Sequence, residues 1–162
     1  MYNKGMENGV FIIIAFILGW LVAQLTKVIL FWVQKGKLTF AEFKVLLMKS
    51  GGMPSSHTAC LTAATLMIGV MQGFLSPLFA FAVCVDAIVI YDALNVRYAV
   101  GEQGKFLNAL VAAKRGRKSK KSKDSVKVIE GHTVPEVLAG LLLGALACFI
   151  ATMLLAALGW SI

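Results

Sequence analysis

The nine residues Lys49-Ser-Gly-Gly-Met-Pro-Ser-Ser-His57 stand directly before an apolar run that extends to residue 75. Pro54 suits the first turn of a helix, because its missing N–H would have no partner there. Ser55 and Ser56 can cap such a helix or donate to an oxyanion. The stretch therefore predicts the point at which an apolar helix begins.

The same stretch combines several groups that bind anions. Lys49 supplies a positive charge, and Gly51 and Gly52 let backbone N–H groups approach a ligand closely. A helix N-terminus attracts negative charge, and His57 exchanges a proton near neutral pH. We therefore expect a phosphate site that includes Lys49, Gly51, Gly52, Ser55 and Ser56. An ordinary junction between a loop and a helix has the same composition, so the rest of the chain must decide.

The composition is that of a membrane protein. The 162 residues correspond to one domain, 59% of them are hydrophobic, and the mean hydropathy is +0.80. Four segments, residues 10–33, 56–75, 78–98 and 132–159, have the roughly 20 apolar residues that cross a hydrocarbon core. We predict an all-α integral membrane bundle of about four transmembrane helices, with residues 1–162 as a single domain. The three cysteines, Cys60, Cys84 and Cys148, lie in these segments and are expected to be small core residues.

Three smaller features refine this bundle. Phe40 and Phe43 share one helical stripe, which predicts a short helix on the membrane surface at about residues 38–48. Lys27, near the end of the first span, is expected to extend its side chain to the interface. Gly140 and Gly144 form a G-x-x-x-G pattern, which predicts close packing of the fourth span against another helix.

The basic residues predict the orientation. Lys and Arg number 16 against 8 Asp and Glu, and ten of the 16 lie at residues 97–127. We expect a basic loop at about 101–131, disordered around 114–124. The loop after the first span is also basic, whereas the joint at Ser76-Pro77 is uncharged. The positive-inside rule therefore predicts both basic loops in the cytoplasm and both termini outside. We expect the membrane to be a bacterial cell membrane.

This topology brings distant polar groups to one face of the membrane. His57 begins the second span, Arg97 ends the third, and His132 begins the fourth. One imidazole can attack phosphorus while the other protonates the leaving oxygen, and neighbouring cations neutralise the transition state. A zinc site is the weaker alternative, because no third His or Cys lies near this interface.

Three carboxylates have open roles. Glu136 is four residues after His132 and can hold its Nδ1 proton, or it can cap the helix by bonding the Thr133 N–H. Asp86 lies at membrane depth, either as a functional group or as a polar lock between helices, and helical spacing puts it near the face of Arg97. Asp92 is a supporting candidate without a defined role.

The chain resembles the divergent branch of the type 2 phosphatidic acid phosphatase superfamily, which includes membrane lipid phosphatases and is related to the vanadium haloperoxidases. The stretches that carry the resemblance are Gly51-Gly-Met-Pro-Ser-Ser-His57, Tyr91-Asp-Ala-Leu-Asn-Val-Arg97 and Gly131-His-Thr-Val-Pro-Glu136. The resemblance implies a metal-independent phosphatase in a helical bundle, without a cofactor. It implies His57 as the general acid and His132 as the nucleophile, with Glu136 in place of the family's Asp.

Two positions depart from the superfamily pattern. The first motif, a Lys followed after six residues by Arg-Pro, is missing, and Lys49 is the candidate for its charge. Val126 stands where an Arg normally precedes the nucleophile by six places, so Arg97 would supply that charge.

We therefore expect a lipid-phosphate phosphatase at the cytoplasmic leaflet. Its partners would be the membrane and a phospholipid or prenyl phosphate, with phosphatidylglycerophosphate or phosphatidate favoured. The sequence leaves the oligomeric state open, a homo-oligomer included, and disfavours nucleic acid because the basic loop has no interleaved aromatics. The alternatives are a non-enzymatic lipid-binding or assembly protein that has kept the fold, and a transporter that uses Asp86.

Overall fold

A computed structural model describes residues 2–37, 39–48, 52–115, 126, 128 and 131–160. Within these residues the chain forms helices and no strands, and a π-helical segment, Asp92–Val96, joins the fourth helix to the fifth. The helices are α1 (Tyr2–Lys35), α2 (Phe40–Met48), α3 (Ser56–Gln72), α4 (Pro77–Tyr91), α5 (Arg97–Arg115) and α6 (Val134–Ala157). The predicted all-α membrane bundle is confirmed.

Helix α3 is the centre of the bundle and packs against α1, α4 and α6. Lys27, in the C-terminal part of α1, contacts Ser56 at the start of α3, so these two helices are antiparallel. Gly140, in the first turns of α6, packs against Ser55, so α6 is parallel to α3. The ends of α1 and α4 and the starts of α3 and α6 consequently meet at one end of the bundle.

Small residues allow these helices to approach closely. A Cβ atom added to Gly144 would lie 2.6 Å from the carbonyl oxygen of Ala59 in α3, and one added to Gly140 would lie 2.7 Å from that of Ser55. Both distances are shorter than any ordinary contact, so only glycine fits at either position. The G-x-x-x-G pattern therefore packs against α3 as predicted. The core below it is formed by Phe11, Ala15, Ala63, Met67, Ala147, Cys148, Ala151 and Leu155.

Three helices in the described residues are long and apolar enough to cross a membrane: Asn8–Lys35, Pro77–Ala113 and Val134–Ala157. Helix α3 has 17 residues, about 25 Å, because it ends at Gly73, whose φ of 91° is a left-handed cap. The predicted second span is therefore three residues shorter than expected. Many of its residues are small or polar and buried by neighbouring helices, so it does not need the apolar surface of a lipid-facing helix.

Two expectations about other segments change. Residues 101–115, predicted as part of the basic loop, belong to α5, because the helix of the third span continues through the π-helical segment. Most of the stretch expected to be disordered, 116–125, lies outside the described residues. Cys60 and Cys148 are buried as predicted, whereas Cys84 is exposed on α4.

The short helix predicted near residues 38–48 is α2. Thr39 precedes it, and Glu42 accepts hydrogen bonds from the Thr39 N–H at 3.0 Å and the Thr39 hydroxyl at 2.8 Å. Glu42 also pairs with Lys35 at the end of α1. The Lys35 ammonium, followed by the two Thr39 donors, lowers the pKa of Glu42 to about 2. These contacts fix the turn between α1 and α2, whose place on the membrane surface stays a prediction.

Candidate functional site

Ser55 links the starts of two helices at the candidate site. Its hydroxyl oxygen accepts hydrogen bonds from the Thr58 N–H at 3.4 Å and the Thr58 hydroxyl at 2.9 Å, so it caps α3. Its backbone N–H donates to the carbonyl oxygen of Glu136 at 3.0 Å. Because Ser55 is fully buried, the structure gives it the capping role among the two that the sequence allowed.

Lys27 lies inside the bundle and does not extend outward as predicted. Its side chain is 6% exposed, and its Nζ donates to the hydroxyl of Ser56, which is also buried, at 3.4 Å. The reason is the length of α1, which continues to Lys35 and so leaves Lys27 about two turns inside the helix. Sequence analysis missed Lys27 as a site residue. The sequence did contain a signal for this position, because Lys35 is the basic residue in the last turn of α1 and marks where the helix ends.

His132 and Glu136 form a buried pair at the start of α6. The Nδ1 of His132 lies 2.9 Å from Oε2 of Glu136, and the same oxygen accepts the Thr133 N–H at 3.2 Å. The two roles that the sequence offered for Glu136, orienting the imidazole and capping the helix, therefore occur together. A carboxylate acceptor pairs with the imidazole tautomer that has its proton on Nδ1, and in that tautomer Nε2 has a free lone pair.

His132 is held although it precedes the first helical residue. Its backbone N–H donates to the carbonyl oxygen of Ala93 in the π-helical segment at 3.1 Å. The described residues before His132 lie antiparallel to α5. Asn108 exchanges two hydrogen bonds with the backbone of Val126, at 2.8 and 3.0 Å, and Gly104 packs against Val128. The α5 helix thus guides the returning chain to the site.

His57 is the second residue of α3 and its side chain is exposed. Arg97, His132 and Lys27 are close enough for their charges to act on it. The structure therefore brings together two histidines from α3 and α6 and two cations from α1 and α5.

Arg97 is positioned by the π-helical segment. Its Nε lies 2.5 Å from Oδ2 of Asp92, and its backbone N–H donates to the Asp92 carbonyl oxygen. A π-helix places residues i and i+5 together, which explains this pair and gives Asp92 its role. Nothing in the sequence indicated the π-helix.

Asp86 does not pair with Arg97. Its Oδ2 accepts a hydrogen bond from the Thr62 hydroxyl at 3.0 Å, so Asp86 contacts α3 and not Arg97. The regular helical spacing that predicted Asp86 near the face of Arg97 is interrupted by the π-helical segment. Asp86 therefore stands apart from the cations of the site.

Two cavities flank the site. One, of about 400 Å³, is lined by Lys27, Gln34 and Gly52 and by the apolar side chains of Leu30, Phe31, Leu46 and Met53. The other, of about 380 Å³, is lined by Leu94, Asn95, Tyr98, His132, Thr133 and Val134. Gly52 has a φ of 80°, a left-handed backbone that favours glycine. Of the predicted phosphate ligands, Lys49 and Gly51 lie outside the described residues.

The site thus combines an imidazole held by a carboxylate, a second imidazole, two cations and neighbouring cavities at one end of an apolar bundle. Groups of three or more His, Cys, Asp or Glu that could hold a metal ion do not occur in the described part of the chain. This arrangement defines the protein as a helical membrane protein with a histidine-based candidate site.

Residues 6–147 match the Divergent PAP2 family, and the chain belongs to that family. The resemblance inferred from the three sequence stretches is thereby confirmed. The chain is 34% identical over 136 residues to YuiD, described as an uncharacterized membrane protein, of Bacillus subtilis (strain 168). That match covers 76% of this chain and 82% of the relative. No solved structure matches the chain significantly.

Proposed function

We propose that the protein is a metal-independent phosphatase of lipid phosphates, with His132 as its nucleophile. The observation that carries the proposal is the 2.9 Å hydrogen bond between His132 Nδ1 and Glu136 in a side chain that is 5% exposed. This bond fixes the ring and favours the tautomer with its proton on Nδ1, whose Nε2 has the lone pair that a nucleophilic imidazole requires.

The first step forms a phosphohistidine. Nε2 of His132 attacks phosphorus, the bond from phosphorus to the leaving oxygen breaks, and protonated His57 gives its proton to that oxygen. The phosphorylated ring is positively charged, and Glu136 stabilises it. The two rings are near enough for their charges to interact, which supports these roles.

Two cations neutralise the charge on the transferred group. Lys27 reaches it from α1 as a point charge. Arg97 uses only its Nε–H for Asp92, so its two terminal amino groups are available for two phosphate oxygens. Asp92 thereby positions Arg97 without touching the substrate.

The second step releases phosphate. His57, now neutral, removes a proton from water, the water oxygen forms a bond to phosphorus, and the bond to Nε2 of His132 breaks. The products are an alcohol and inorganic phosphate, and both histidines return to their starting protonation states.

The larger cavity supports a lipid as the substrate. One cation beside apolar side chains fits an amphiphile whose phosphate meets Lys27 while its hydrocarbon lies against Leu30 and Phe31. Phosphatidate and phosphatidylglycerophosphate fit a site at the cytoplasmic leaflet, which is the side that the positive-inside rule favours for the basic segments. A prenyl phosphate is the other candidate.

Phosphate release by the purified protein tests the proposal. Phosphatidate, phosphatidylglycerophosphate and a polyprenyl phosphate are supplied in detergent, with and without a chelator, and with vanadate. We expect release that survives chelation and is blocked by vanadate. Binding of these lipids without release from any of them would replace the phosphatase by the lipid-binding alternative.

A separate experiment tests the orientation. A single cysteine replaces the exposed Lys105 on α5 in a variant without the three native cysteines. We expect an impermeant maleimide to label it only after the cells are opened. Labelling in intact cells would place the site outside and favour the prenyl phosphate.

A further inference from the structure

Asp86 is a buried carboxyl group that the proposed phosphatase chemistry does not use. It lies in α4 with 8% of its surface exposed, and Oδ2 accepts the Thr62 hydroxyl at 3.0 Å. Its other oxygen, Oδ1, has no hydrogen-bond partner among the described residues. A charged and half-satisfied carboxylate at this depth is costly unless a further ligand compensates it.

Neither α3 nor α4 contains a Lys or Arg, and Arg97, beyond the π-helical segment, is paired with Asp92. The thiol of Cys60 in α3 lies near Asp86 and supplies no positive charge. The other titratable groups on α3, α4 and the π-helical segment are His57, Cys84, Tyr91 and Asp92. A small cation therefore has to come from solution.

Metal ions fit this position poorly. Hard cations take about six or more oxygen ligands, whereas the contacts here offer one carboxylate and neighbouring threonine hydroxyls. A proton needs a single oxygen and removes the charge outright. Protonated Oδ1 would become a donor, and Thr65, one turn beyond Thr62, has a buried hydroxyl that has no partner in the described residues.

A route from the site end exists along α3. Ser55, Thr58, Thr62 and Thr65 follow one another at intervals of three or four residues, so their hydroxyls share one face of the helix. All four are buried. Ser55 and Thr58 are hydrogen-bonded at 2.9 Å, and Thr62 bonds Asp86. Thr58 and Thr62 are four residues apart, so the two bonded pairs are separated by one helical turn.

We propose that Asp86, reached along the hydroxyl-bearing face of α3, binds a proton in the interior of the bundle. The inference goes beyond the phosphatase, because it concerns a different carboxyl group and needs no substrate. The bound proton makes Asp86 a neutral hydrogen-bonding group that links α4 to α3.

The test is modification by an apolar carbodiimide, which reacts with protonated carboxyl groups in membrane interiors. The purified wild-type protein in lipid nanodiscs is treated at several pH values, in sodium chloride or in choline chloride, and its peptides are identified by mass spectrometry. We expect modification of Asp86 at neutral pH, unchanged by sodium. Asp86→Asn should lose this label, and Asp92→Asn should keep it.

Two results would overturn the proposal. Wild-type protein in which Asp86 stays unmodified would show an ionised carboxylate, and protection by sodium would assign the position to a metal cation. Infrared absorption of the protonated carboxyl group gives a second readout on the wild-type protein. Its absence, or its persistence unchanged in folded Asp86→Asn, would also contradict a proton on Asp86.

Discussion

The two ends of the bundle are held together by different interactions. At the site end, the helices are linked by hydrogen bonds such as those from the Ser55 N–H to Glu136 and from the His132 N–H to Ala93. At the opposite end, ring contacts join Phe11 to Trp160 at 5.2 Å and Phe74 to Phe79 at 5.1 Å. Apolar packing thus suffices to join helix ends, which supports a functional reason for the polar groups at the site end.

The largest difference between the two ends is expected from His132→Ala, which should abolish activity at the site end and leave the opposite end intact. Without its nucleophile the protein should lose phosphate release by at least about 10⁴-fold, while the opposite end keeps the bundle folded. Initial rates on phosphatidate and elution from a sizing column measure the two effects. A folded variant that retains wild-type turnover would remove His132 from the mechanism.

The next effect is expected from Glu136→Gln. The amide can still accept from the Thr133 N–H, but it can also donate to the imidazole and so favour the wrong tautomer of His132. We expect a loss of about 10³-fold in kcat, which is within the range of losses seen when an imidazole is held in the wrong position or the wrong tautomer.

Thermal unfolding of the same preparation provides the control. An unfolding temperature close to wild type with a large loss of kcat would sharpen the assignment of Glu136 to chemistry. A large fall in unfolding temperature with wild-type kcat would assign Glu136 to capping alone.

Lys27→Gln should have a smaller effect on turnover. The amide can keep the contact with Ser56 but carries no charge, so we expect about a 10²-fold loss of kcat/KM. Lys105→Gln is the matched control, since Lys105 is exposed on α5 and pairs with Glu102. Equal rates for both variants would show that Lys27 does not contact the transferred phosphate.

The smallest effects compare the two ends directly through their helix caps. Ser55 caps α3 at the site end, and Ser76 caps α4 at the other end through the Phe79 N–H. Either serine changed to alanine should cost about 1 kcal/mol of unfolding free energy. Only Ser55→Ala should also lower phosphate release, because it displaces the start of the helix that carries His57. Equal rates for the two variants would contradict this difference.

Much of this architecture could be predicted because membrane crossing leaves a strong sequence signal. The starts of α3 and α6 were located from proline, serine and threonine, and the convergence of His57, Arg97 and His132 followed from alternating directions of the helices. The π-helical segment could not be foreseen, because no local motif marks it and its contact with the His132 N–H through the Ala93 carbonyl oxygen joins segments distant in sequence. For that reason the pair of Asp92 with Arg97 was missed.

Burial was the other source of error. Lys27 was expected at the surface because lysine usually keeps its charge in water. Its position became clear only once α3 and Ser56 lay beside it. The dual use of Glu136 was likewise beyond sequence analysis, since both of its roles depend on the placement of a single oxygen atom.

The bond between Asn108 and Val126 has a consequence for how the chain tolerates change. It joins two residues that are 18 apart in sequence, so their positions are fixed relative to each other. Relatives could lengthen, shorten or recharge the connection between them without moving His132. A fluorescent protein inserted there would report on the cytoplasmic or external side of the bilayer while the site beneath it stays assembled.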